Sequence, residues 1–120
     1  MNKRGLDTMN NIQRLCMEIK DIHLDQSELT VYLLENGLEP YKPYVATSNV
    51  NKRSIYLTAL QALENLANSP TMMASIRIDD MTASDFYENL MKRIDQLESK
   101  IRTMPKSDNP NGSTNFLMFN

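Results

Sequence analysis

Only one cysteine and one histidine occur in the 120-residue sequence, and their scarcity closes off several kinds of chemistry. Cys16 has no partner for an intramolecular disulfide, so the chain suits a reducing compartment. It falls among apolar residues at helical spacing, the setting of a small buried hydrophobe. His23 has no second histidine and no nearby cysteine at metal-ligand spacing, so the inventory offers no zinc site. The three glycines never cluster into a phosphate-cradling loop, and no serine lies in a nucleophile elbow. Neither enzyme activity, nor a cofactor, nor a small-molecule substrate is therefore expected. No apolar run approaches the ~20 residues of a membrane span, and the first residues lack the apolar core of a signal peptide. The expectation is a cytoplasmic protein with no membrane partner. A surplus of charge is missing too: the net charge is -2, which gives no broad electrostatic reason to bind a polyanion.

What is present is helical periodicity. Phe86, Leu90, Ile94, Leu97, Ile101 and Met104 recur at steps of four, four, three, four and three, the stripe of one amphipathic helix from Thr82 to Met104. Thr82 and Asp85 suit a capping box at its start, and Pro105 ends it. The rest of the chain is expected to be organised around this helix. Between Leu90 and Met104 the stripe shifts toward a 3.5-residue repeat, a seam of about two heptads. That is too short for an isolated coiled coil, so the seam needs either the domain's own helices or another subunit.

Earlier in the chain, Asp7 or Thr8 can cap a helix with Ile12, Leu15, Cys16, Ile19 and Ile22 on one face. Asp25 with Glu28 signals a second, shorter helix through Leu29, Tyr32, Leu33 and Leu34, which Gly37 stops. Two prolines make Leu38 to Val50 a loop, with Tyr41 and Tyr44 as aromatic anchors. A helix from Asn49 or Asn51 follows, with Tyr56, Ala59, Leu60, Leu63, Leu66 and Ala67 inward, closed by Asn68, Ser69 and Pro70. Thr71 to Met81 alternates Ala74, Ile76 and Ile78 with polar residues and reads as extended. The fold class is thus all-α, about four helices with one short extended segment before the long last one.

A single domain over residues 1–105 is expected, followed by a flexible tail over 106–120. The tail carries Phe116, Leu117, Met118 and Phe119, an apolar cluster that is costly to leave in water. It either tucks onto its own domain or docks on a neighbour. Candidate partner-facing residues are Ile76 and Ile78 on the unpaired strand, Leu97 and Ile101 on the seam, and Phe116, Leu117 and Phe119 on the tail.

Two constellations invite sharper readings and lose to plainer ones. Asp79 and Asp80 are adjacent, so on a strand they point to opposite faces, and a solvated turn accounts for them. The pairs Lys3-Arg4, Lys52-Arg53, Lys92-Arg93 and Lys100/Arg102 are interleaved with acids and read as solvated faces. A helix-turn-helix needs a turn of ~3 to 4 residues, whereas about a dozen follow Gly37. Nucleic-acid binding is disfavoured on both grounds.

The run from Asn51 to Arg102 resembles the small head-tail connector, or head-completion adaptor, proteins of long-tailed bacteriophages and prophages. The features that carry the resemblance are the helix Tyr56 to Ala67, the extended Ser75 to Thr82, and the ending Arg93-Ile94-Asp95-Gln96-Leu97-Glu98-Ser99-Lys100-Ile101. These are packing patterns and not a chemical signature, and the N-terminal helix and tyrosine-proline loop lie outside them. The resemblance implies a structural subunit, assembled in the bacterial cytoplasm and carried in the virion, that forms a homo-oligomeric ring at the portal and meets portal or tail proteins. The alternative from another class is a small DNA-binding or regulatory protein of a mobile element.

Overall fold

The computed structural model describes residues 8–20, 22–75 and 82–108. It is all-α: α1 spans Asn11–Glu18, α2 Gln26–Glu35, α3 Asn49–Ala67, α4 Pro70–Ser75 and α5 Ala83–Thr103. The organising helix is α3 and not α5. Buried residues on α5 fall in one stripe, Phe86, Leu90, Ile94, Leu97 and Ile101, as its spacing predicts. On α3 they form two adjacent columns, Ile55, Tyr56, Thr58, Ala59, Ala62, Leu63 and Leu66, so this helix can be covered from two sides. It packs against α5 and also against α1, α2 and α4. Thr58, the polar member of the columns, donates its hydroxyl to the Ser54 carbonyl at 2.7 Å and so adds no unsatisfied group to the core.

The seam on α5 is consumed inside the domain. Leu97 is 0 % exposed and Ile101 7 % exposed, both in the common core with α3 and α1. This corrects their expected role as partner-facing residues, because side chains already surrounded cannot offer surface to another subunit. The other expected interface residues, Ile76, Ile78, Phe116, Leu117 and Phe119, lie outside the described residues, as do Asp79 and Asp80.

Helix ends explain most of the remaining departures. Asn10, not Asp7 or Thr8, caps α1: its Oδ1 accepts from the Gln13 amide at 2.9 Å while Gln13 Oε1 accepts from the Asn10 amide at 2.8 Å. Asp25 stands at the start of α2, yet its carboxylate takes no capping hydrogen bond. At the other end of α2, Gly37 donates to the Leu34 carbonyl and Leu38 to that of Leu33, at 3.0 and 2.9 Å, closing the helix in a Schellman motif. Gly37 sits at φ +81°, and a Cβ there would meet nothing within 4 Å. Gly37→Ala is therefore expected to cost about 1–2 kcal/mol from backbone strain alone, measurable as a lower denaturation midpoint with an unchanged m-value.

Residues 70–75 are helical, which corrects the extended reading of the segment beginning at Thr71. Ser69 and Pro70 open this turn and do not merely close α3. Proline at the first helical position lacks only a donor that would have no partner there, and the Ser69 hydroxyl accepts from the Met72 amide at 3.3 Å. The count of helices among the described residues rises accordingly to five.

Residues 106–108 are held against the domain and do not leave it at Pro105. Asp108 accepts from the Ser48 hydroxyl at 2.9 and 3.0 Å and from the Val50 amide at 2.9 Å. The same serine oxygen accepts from the Asn51 amide at 3.0 Å, so one residue caps α3 and ties it to the segment after α5. These donors, the Val50 amide first and the Ser48 hydroxyl second, hold the Asp108 carboxyl below its ordinary value. A depressed carboxylate contributes stability above its unfolded pKa of about 3.9 and loses it as pH falls through the folded value. Asp108→Ala should thus lower the melting temperature at pH 7, and the gap to the wild type should narrow steadily below about pH 4. A gap unchanged by acid would show that the carboxylate charge contributes nothing.

Candidate functional site

Three features stand out once the core is accounted for. The first is ionic. Arg14 and Glu18 lie one turn apart on α1, and Arg14 Nη1 donates to Glu18 Oε2 at 2.9 Å. From α5, Arg93 Nη2 donates to the other carboxylate oxygen of Glu18 and to its backbone carbonyl at 3.2 Å. A cation so placed offsets both the glutamate charge and the negative end of the α1 dipole. The Arg14 guanidinium lies over the rings of Tyr44 and Tyr56, 5.3 and 5.7 Å from their centroids, and Lys100 Nζ lies 5.5 Å from that of Tyr56. Burial on its own would pull the Arg14 pKa down. Hydrogen bonding and charge from Glu18, with a smaller part from Tyr44, outweigh it and hold the group above the ordinary arginine value. The cluster is a fastener joining α1, α3, α5 and the loop.

Arg93 is therefore not the solvated basic residue that its spacing among acids suggests, whereas Lys100 is exposed as expected. One signal is available in the sequence: Arg14 and Glu18 stand at i and i+4 on a short helix, the spacing of an ion pair.

The second feature is the loop from Leu38 to Ser48. Its carbonyls stand in for a helical turn at the start of α1: Lys42 accepts from the Asn11 amide and Pro40 from the Ile12 amide, each at 3.0 Å. Asn11, buried, donates its amide to the Glu39 carbonyl at 2.8 Å and accepts from Asn51 Nδ2 at 3.0 Å. Asn51 in turn accepts from the Val45 amide at 2.9 Å. The starts of α1 and α3 are thereby linked through satisfied amides. Tyr44 anchors the loop as expected, whereas Tyr41 is 70 % exposed and does not. Later in the loop and at the start of α3, Val45 and Val50 are also exposed, and on α2 so are Val31 and Leu34, one turn apart.

The third feature is a cleft of about 400 Å³ between the end of α1 and the first half of α5. Met17, Ile19, Ile22, Leu63, Phe86 and Leu90 line it, and Glu18 with Arg93 forms its polar edge. It has both the size and the mostly apolar walls of a small-molecule pocket. Among the described residues no three His, Cys, Asp or Glu side chains are placed to hold a metal ion. No described helix is long and apolar enough to cross a membrane.

No family model, curated protein or solved structure matches this chain.

Proposed function

We propose that the chain is a structural subunit that assembles with copies of itself, as a head-tail connector of a phage or prophage particle does at the portal. The observation that carries this reading is the placement of exposed apolar side chains on two separate elements. Val31 and Leu34 lie on α2, and Tyr41, Val45 and Val50 surround the loop and the start of α3, with Leu34 54 % and Tyr41 70 % exposed. Single exposed apolar residues are ordinary, but two groups on one small domain fit a head-to-tail contact, in which each copy presents two different surfaces. Repeated around an axis, such a contact closes a ring. The helical architecture is compatible with a connector, and the portal and tail proteins would be the further partners.

The test uses one variant for each surface. Full-length protein measured by light scattering behind a sizing column is expected to form a discrete oligomer as concentration rises. Leu34→Glu and Val45→Glu should each be monomeric alone, while their mixture should form a dimer through the one contact that remains intact. A wild-type monomer at every concentration would overturn self-assembly. If that monomer bound DNA with an affinity that falls as salt rises, the small regulatory protein of a mobile element would take its place.

A further inference from the structure

The cleft between α1 and α5 and the apolar tetrad Phe116 to Phe119 are the two features that the assembly reading leaves unused. We infer that they belong together: residues 116–119 occupy the cleft of their own chain. The walls suit such an occupant, since Met17 is exposed at the rim while Phe86 and Leu90 form a buried floor. Four consecutive apolar residues behind a polar stretch otherwise leave two phenylalanines in water.

Length decides between this chain and a neighbour. Asp108 is fixed at the first turn of α3 by its bonds to Ser48 and Val50. Leu63, on the cleft wall, lies on the same helix and about 21 Å further along its axis at 1.5 Å per residue. The eight steps from Asp108 to Phe116 span up to about 26 Å when extended. The tetrad therefore reaches its own cleft with little slack. Because the tether can span the gap, the intrachain contact is independent of protein concentration, whereas the same contact between copies weakens on dilution, so at low micromolar protein the intrachain contact prevails. The composition of the tether suits this: Asn109 to Asn115 contains proline, glycine, serine and asparagine but no apolar side chain that would bind earlier on the way. The inference does not depend on ring assembly.

The experiment places cysteines at Met17 and Leu117 in full-length protein whose Cys16 is replaced by alanine. Disulfide formation under oxidised glutathione is followed at low micromolar concentration by non-reducing electrophoresis and mass. The expected product is a cross-linked monomer, formed at a rate independent of protein concentration. Replacing Phe116 and Phe119 with serine leaves the reach unchanged and should slow the cross-link at least roughly tenfold, because the burial that holds the tetrad in place is removed. A cross-linked dimer would assign the cleft to a neighbour's tetrad. A rate indifferent to the serine substitutions, or no cross-link at all, would show that the cleft does not bind this segment. Either result overturns the inference, and circular dichroism on both variants separates it from misfolding.

Discussion

Leu97→Asp is expected to leave no cooperative folding transition at 25 °C, and Leu97→Ala to lower stability by about 2–5 kcal/mol. Leu97 is fully buried in the common core, so the alanine variant loses the transfer energy of the side chain and leaves a cavity that the helices fill only partly. A carboxylate at the same place must be desolvated without a partner, a cost comparable with the whole stability of a domain this size, about 5–15 kcal/mol. Ile101→Asp should behave similarly, since that side chain too is surrounded. Circular dichroism against urea measures both. A well-folded Leu97→Asp protein with only its assembly impaired would return this seam to the surface and restore the partner-facing reading of its spacing.

Glu18→Ala should cost about 2–3 kcal/mol, more than a single surface ion pair contributes. The Glu18 carboxylate is the acceptor for two arginines, and its side chain and that of Arg14 are each only 13 % exposed. Removing it leaves Arg14 charged between two tyrosine rings with its acceptor gone. It cannot shed its charge instead: a guanidinium held above its ordinary pKa contributes stability that is complete below the unfolded value and lost only at more alkaline pH than proteins ordinarily meet. Replacing Arg14 and Glu18 together by leucine should recover part of the loss, because Arg14 is then no longer left charged without its partner, while the more exposed Arg93 still loses its carboxylate. Urea midpoints of Arg14→Leu, Glu18→Leu and the double variant give the coupling energy. Near-additive losses would mean that the fastener is a set of independent surface contacts.

Both of these effects concern positions whose environment the sequence showed unequally. The stripe on α5 was legible because every inward residue is apolar and regularly spaced. What faces it was not, since periodicity says that Leu97 and Ile101 are covered but not by which surface. On α3 the inward set was read as one stripe from Tyr56 to Ala67, and Ile55, Thr58 and Ala62 escaped it. A helix covered from two sides keeps small or polar residues at close approaches, which weakens the periodic signal. Gly37 was readable because a positive φ favours one residue type. The cap at Asn10 was less so, because Asp7, Thr8 and Asn10 all have a suitable side chain and only the loop, arriving from thirty residues away, selects among them. The docking of Asp108 had no local signal at all. Its surroundings of proline, serine and asparagine describe a loop, and the partner that holds it is distant in sequence.

That distance bears on the order in which the domain comes together. Asp108 meets Ser48 and Val50 across separations of 60 and 58 residues, about half the chain. Closing so long a loop costs entropy that a few hydrogen bonds at an exposed helix end cannot offset by themselves, so the contact forms after α3 and α5 have already packed. It is a latch set last. Interactions absent from the transition state act on the rate of leaving the native state and hardly on the rate of reaching it. The carboxylate at the start of α3 thus prolongs the time the folded domain stays closed, and its loss would shorten that lifetime while newly made chains folded as fast as before.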